Sequence, residues 1–187
     1  MAAEDAQNNA RECVRSTILN PQLFCFDHLL RLSAVDNLKE TDPLLFEMLS
    51  IFVYGSLSHY QCFIAAHPTF LRDELRVEDK QTLETKIKQL TLISMAEKTQ
   101  TISLLELAKD LDISDNEDLE LFLIDAIHAN AIQGKINEIG AELVVNFYQQ
   151  RVFESAQWNQ LHTRLGGLLD NVRWFRDSMQ SVVEGGE

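Results

Sequence analysis

Apolar residues recur at helical spacing along most of the chain. Ala10, Cys13, Val14 and Ile18 share one face, and Leu23, Phe26, Leu29 and Leu30 share another. Asn20-Pro21 between them predicts a helix start, because proline suits a first helical position. Thr41-Asp42-Pro43 repeats the signal ahead of the stripe Leu45, Leu49, Phe52 and Val53, and Gly55 predicts the stop. Leu57, Tyr60, Phe63 and Ile64 mark a short helix that ends before Pro68. Leu83, Ile87, Leu90 and Ile93 carry another to about Glu97. Short amphipathic helices with brief connections predict stacked helical hairpins over residues 1–97.

The texture changes at Lys98. Thr101-Ile102-Ser103 predicts a short strand. Ser103 to Glu106 and Ser114 to Glu117 each read as a capping box. Leu104, Leu107, Ala108 and Leu111 follow the first box, and Leu119, Phe122, Leu123, Ala126 and Ile127 follow the second. Ile132, Gly134 and Ile136 then alternate with polar residues, as do Leu143, Val145 and Phe147 after Gly140, which predicts a β-hairpin. In this reading Leu143–Phe147 is the outer strand, and Val144 lies on an edge open to a neighbouring chain. Helix, short strand, helix, helix, hairpin is the order of a winged helix, here over residues 98–150.

Ser155 opens a long helix. Trp158, Leu161, Leu165, Leu168, Val172, Phe175, Met179 and Val182 follow one another at alternating steps of 3 and 4, a strict heptad stripe. Gly166 and Gly167 weaken it locally, each by ~1 kcal/mol against alanine. A stripe of this length has to be covered, so residues 151–187 read as an amphipathic assembly helix. The fold class is therefore mainly α: stacked helical hairpins, a winged-helix subdomain with a small antiparallel sheet, and a long C-terminal helix.

Composition narrows the function. The chain has 187 residues, 45% of them hydrophobic, enough to bury a core. No apolar run approaches the ~18 residues that span a bilayer, and the polar start, with Glu4 and Asp5, is unlike a secretory signal. Sixteen basic side chains stand against 29 acidic ones, a net charge of −13. A winged helix raises the question of DNA. From Asp115 to Ala131, however, the second helix of the motif carries Asp115, Glu117, Asp118, Glu120 and Asp125 and no Lys or Arg. The wing sets Lys135 against Glu138 and Glu142. Phosphates approaching such a face meet repulsion, so direct nucleic-acid binding is not expected. Residues 151–187 carry four arginines and five carboxylates, a net of −1, and the other −12 lies in residues 1–150. The near-neutral tail suits an interaction element.

Nothing points to catalysis. The five histidines form no HExxH pattern, and neither GxSxG nor a phosphate-binding glycine loop is present. The carboxylates near residue 115 lack the glycine and glutamate of an EF-hand. No catalytic, metal or cofactor residue is nominated. Cys13, Cys25 and Cys62, with no CxxC spacing, read as free buried thiols of a reducing compartment.

Helical hairpins running into a winged helix and then a long helix resemble the PCI family. Lys88-Gln89-Leu90-Thr91-Leu92-Ile93-Ser94-Met95-Ala96 is similar to that family's K-x-L-T-x-x-x-x-A helix. Leu123-Ile124-Asp125-Ala126-Ile127 with Ile132-Gln133-Gly134-Lys135-Ile136-Asn137 is similar to its IDAI…I-x-G-K-I-[DN] signature. The family comprises scaffold subunits of the proteasome lid, the signalosome and eukaryotic initiation factor three. Asn20-Pro21, Phe24, Phe26-Asp27-His28-Leu29-Leu30 and Gln157-Trp158-Asn159-Gln160-Leu161 resemble the initiation-factor branch. Phe52-Val53-Tyr54-Gly55 and Ile132-Gln133-Gly134-Lys135-Ile136 lean toward the signalosome branch. The resemblance implies a non-catalytic, cytoplasmic scaffold that is a fragment of a longer protein. Its implied partners are other PCI subunits, subunit a of the initiation factor first, and a multi-helix bundle, with the small ribosomal subunit reached indirectly. The alternatives are a signalosome scaffold supporting deneddylation and, in another class, a nucleic-acid-binding winged-helix protein.

Overall fold

The computed structural model describes the backbone of residues 2–73, 75 and 80–184, and the side chains of residues 5–72, 75 and 80–180. It divides into two compact units, residues 1–152 and 153–187. The first unit begins with α1 (Ala2–Leu19), a single 3-10 turn (Asp27–Arg31), α2 (Ser33–Asp36) and α3 (Leu38–Thr41). It continues through α4 (Pro43–Tyr54), α5 (Leu57–Ala66), α6 (Phe70–Asp73) and α7 (Lys80–Lys98). Val14 and Ile18 of α1, Leu49 and Phe52 of α4, and Ile87 and Leu90 of α7 are buried in one core.

Pro43 opens α4 in its first turn, as its fixed φ favours, and the Asp42 carboxylate before it pairs with Arg11 of α1. Asn20-Pro21 behaves differently from the helix start read from the sequence. The Asn20 side-chain oxygen accepts a 3.0 Å hydrogen bond from the Gln22 N–H, and the chain turns there. Phe24 and Phe26 are nevertheless fully buried, on a stretch with no regular structure before the 3-10 turn. A short asparagine side chain offers the backbone a turn in place of a helix. At Gly55 the stop is where the sequence put it, but φ is an extended −77°. Glycine is needed there for close approach, because a Cβ would lie 2.7 Å from the Ile51 carbonyl oxygen.

After α7 come β1 (Thr101–Ser103), α8 (Leu104–Asp110), α9 (Asn116–His128), β2 (Ile132–Asn137) and β3 (Glu142–Tyr148), the winged-helix order. The three antiparallel strands lie in the order β1-β3-β2. This corrects the reading of β3 as the outer strand: it is the central one. Val144 faces Thr101 of β1 and Lys135 of β2, and its side chain is half-buried. β1 takes the edge that a two-stranded hairpin would leave open. Both capping boxes also differ. Ser103 makes no side-chain cap, and α9 is capped one residue later than read, by the Asp115 carboxylate accepting from the Glu117 N–H at 3.1 Å. The pairing of β2 with β3 shifts between Gln133 and Gly134. There a Cβ on residue 134 would sit 2.5 Å from the Val144 carbonyl oxygen. The glycine of the I-x-G-K-I stretch is thus a packing requirement of the sheet. Leu123 and Val145 are buried in the core, with Ile127 and Ile136 half-buried against it.

Two buried cations hold segments of the first unit that are distant in sequence. Lys86 of α7 donates to the carbonyls of Thr17, Ile18 and Asn20 at 2.6, 3.0 and 2.6 Å, and its Nζ lies 5.2 Å from the centroid of the Phe26 ring. It closes the C-terminal end of α1 with a side chain, where the last carbonyls have no helical donor. Burial pushes the Lys86 ammonium down to about 7. Arg151, just after the sheet, donates through Nη2 to the carbonyls of Ile51 and Phe52 at 3.0 and 2.9 Å and through Nη1 to Ser94 Oγ at 3.0 Å. It ties the chain leaving β3 to the ends of α4 and α7.

The second unit is α10 (Ser155–Glu184), 30 residues long. Phe153 stacks edge-on against Trp158 with ring centroids 4.8 Å apart.

Candidate protein-interaction site

The heptad stripe folds as one continuous helix. Trp158, Leu161, Leu165, Leu168, Val172, Phe175 and Met179 are all exposed, from 39% at Leu161 to 62% at Leu168. The Val182 side chain lies outside the described residues. Leu169 and Trp174 are exposed as well and widen the apolar surface beyond the eight positions read from the sequence. A strict heptad count passes over them because they fall between the 3 and 4 steps. The polar face carries charges at Asp170, Arg173, Arg176 and Asp177, with Arg173 3.7 Å from Asp170 and Arg176 2.7 Å from Asp177. Exposed pairs of this kind contribute little stability and mainly keep that face wet. Gly166 and Gly167 have open space where a Cβ would be, so no packing explains them.

Seven large apolar side chains on one face, uncovered, form a seam of the kind that other helices cover in a bundle. A ring such as Trp158 alone can bury ~150–250 Å² against a partner. The structure brings these residues onto one helix. Val144 belongs to the sheet of the first unit, on a strand paired on both sides, by β1 and by β2.

The α9 surface has the electrostatics expected from its sequence. Glu117, Asp118, Glu120 and Asp125 are exposed. Leu121 and Ile124, on the same helix, are exposed too, which the core reading of its apolar residues did not include. Among the described residues no group of three or more His, Cys, Asp or Glu side chains is placed to hold a metal ion, and no helix is long and apolar enough to cross a membrane. The thiols differ from the buried ones expected: Cys13 and Cys62 are exposed, and Cys25 is half-buried. Burial first, and the Asp27 carboxylate second, push the Cys25 thiol up from its ordinary value.

Residues 62–147 match the PCI domain family. Over 181 residues the chain is 33% identical to eukaryotic translation initiation factor 3 subunit M of Nematostella vectensis, covering 97% of this chain and 46% of that protein. Over 198 residues it is 32% identical to the subunit M of Aspergillus fumigatus, with 98% and 42% covered. The Xenopus tropicalis subunit M is 31% identical over 182 residues, with 97% and 47% covered. The chain thus spans a little under half the length of the curated relatives it matches.

Proposed function

We propose that this chain, which belongs to the PCI-domain family, acts as a non-catalytic scaffold subunit of eukaryotic translation initiation factor three, of the subunit m type. The observation that carries the reading is the match of nearly the whole chain, first unit and α10 together, to proteins of that name. The uncovered stripe of α10 supports it, since a scaffold needs a face that is completed by its partners. In this reading residues 1–97 form the helical-repeat part of the PCI domain, 98–150 the winged helix, and 151–187 the assembly helix. Trp158, Leu161, Leu165, Leu168, Val172, Phe175, Met179 and Val182 enter a bundle with helices of neighbouring PCI subunits, subunit a first among them. The small ribosomal subunit is reached through the assembled factor, in the cytoplasm. With β3 central in the sheet, any pairing role of the wing passes from Val144 to the free outer side of β2.

The acidic α9 face supports assembly with proteins over nucleic acid, because phosphate binding requires cations there. The test is affinity purification of the full-length protein with identification of what accompanies it. Initiation-factor subunits in stoichiometric amounts are expected. Signalosome subunits in their place, or steeply salt-dependent RNA or DNA binding mapped to residues 115–142, would overturn the proposal.

A further inference from the structure

The exposed face of α9 has a definite layout. A helix advances ~100° per residue. Leu121 and Ile124 therefore lie side by side, about 60° apart, at the centre of the exposed face. Asp125 stands about 40° beyond Leu121, and Glu120 the same distance beyond Ile124, one carboxylate on each flank. Glu117 and His128 sit one turn before and one turn after the apolar pair. Leu121 is 60% and Ile124 43% exposed, although Leu119, Phe122, Leu123 and Ala126 of the same helix are buried. No Lys or Arg occurs between Asp115 and Ala131.

We infer that this ridge is a docking site for a basic amphipathic helix of a partner protein, one whose apolar side chains are flanked by Lys or Arg. The charge selects that occupant. Two carboxylates bordering an apolar centre complement a cationic rim around an apolar stripe, the arrangement in which a central contact is shielded from water. The same carboxylates repel nucleic acid and anionic lipid surfaces. A second copy of this chain would bring an equally acidic face against them. This surface is distinct from α10, whose seam is broad, long and nearly neutral.

The test is fluorescence anisotropy of the full-length protein with a labelled probe peptide, a synthetic helix with a leucine stripe bordered by Lys and Arg. Saturable micromolar binding is expected, weaker at high salt. Leu121→Ser with Ile124→Ser should weaken it by about tenfold or more, and so should Glu120→Gln with Asp125→Asn. Val172→Asp with Phe175→Asp on α10 and Leu105→Ser on α8 should leave it unchanged. All these side chains are exposed, so circular dichroism should show every variant folded. Absence of binding, or binding that survives both α9 pairs or is lost only with the α10 pair, overturns the inference. Concentration-dependent self-association that disappears with Leu121→Ser and Ile124→Ser would assign the ridge to a second copy and overturn it equally.

Discussion

Arg151→Ala should be among the most destabilising single changes in the first unit. The side chain is 4% exposed, and its donors serve Phe52 O, Ile51 O and Ser94 Oγ. Phe52 O belongs to the last turn of α4, where helical carbonyls lack a donor in their own helix. Ile51 O also receives the Gly55 N–H at 2.8 Å, so the loss falls hardest on Phe52 O. Each buried acceptor left unpaired costs ~1–3 kcal/mol. Relief from the desolvation of a buried guanidinium offsets part of this. That burial is what pulls the Arg151 group down from its ordinary value to about 10. Adding the packing of the lost stem gives a net cost of about 3–5 kcal/mol, a large part of the ~5–15 kcal/mol that holds a domain folded. With a urea slope of ~2 kcal/mol/M the midpoint should fall by about 2 M. Arg151→Lys should recover roughly half, because one ammonium cannot span all three acceptors as the fork does. Unfolding should be followed by far-ultraviolet circular dichroism, since both tryptophans, Trp158 and Trp174, lie in α10 and would report on the wrong unit. A midpoint within ~0.3 M of the parent for Arg151→Ala, less than 1 kcal/mol at that slope, would refute this role.

Lys86 makes a pH-dependent prediction. Its folded-state value lies near 7, below the 10.5 of an exposed lysine, so between those values the unfolded chain binds more protons and stability rises with pH. The urea midpoint should gain more from pH 7 to pH 9 in the parent than in Lys86→Met, and an equal or smaller gain would contradict the burial argument. Leu123→Ala should cost roughly 2–5 kcal/mol in thermal or urea unfolding, because Leu123 is fully buried. Glu120→Ala, on the exposed face of the same helix, should change stability by less than ~0.5 kcal/mol. Equal effects of these two changes would place the helix face wrongly. Gly134→Ala should destabilise the first unit, since the new methyl meets the Val144 carbonyl at 2.5 Å and the sheet must move to admit it. Unaltered melting would show that the register shift there is soft.

Much of this architecture could be read from periodicity alone. The helices ending in α7, the strand–helix–helix–hairpin order and the heptads of α10 are repeated patterns, each supported by many residues. What the sequence hid was decided by single contacts. Asn20 turns the chain through one side-chain bond to Gln22, although Asn-Pro suits a helix start equally well. β1 joins the sheet beside β3 through pairs 39 to 43 residues apart in sequence, so local alternation showed two strands but not which was central. Arg151 and Lys86 look like ordinary surface cations in the sequence. Only the fold reveals that each closes a helix end far from itself. For the interaction site, the stripe of α10 was legible because a heptad is a long signal. The Leu121–Ile124 ridge was not, because two exposed apolar residues among buried ones do not alter the helical period.

The most direct test of the scaffold account is to purify the initiation-factor assembly through tagged full-length protein, in parent form and with Val172→Asp and Phe175→Asp together. Both side chains are exposed, at 59% and 60%, so the charges should leave the unfolding of the first unit unchanged. In a bundle, two buried unpaired carboxylates cost several kcal/mol. The account predicts a normally folded variant that no longer copurifies with the other initiation-factor subunits. A variant that remains folded and enters the complex as well as the parent would contradict it.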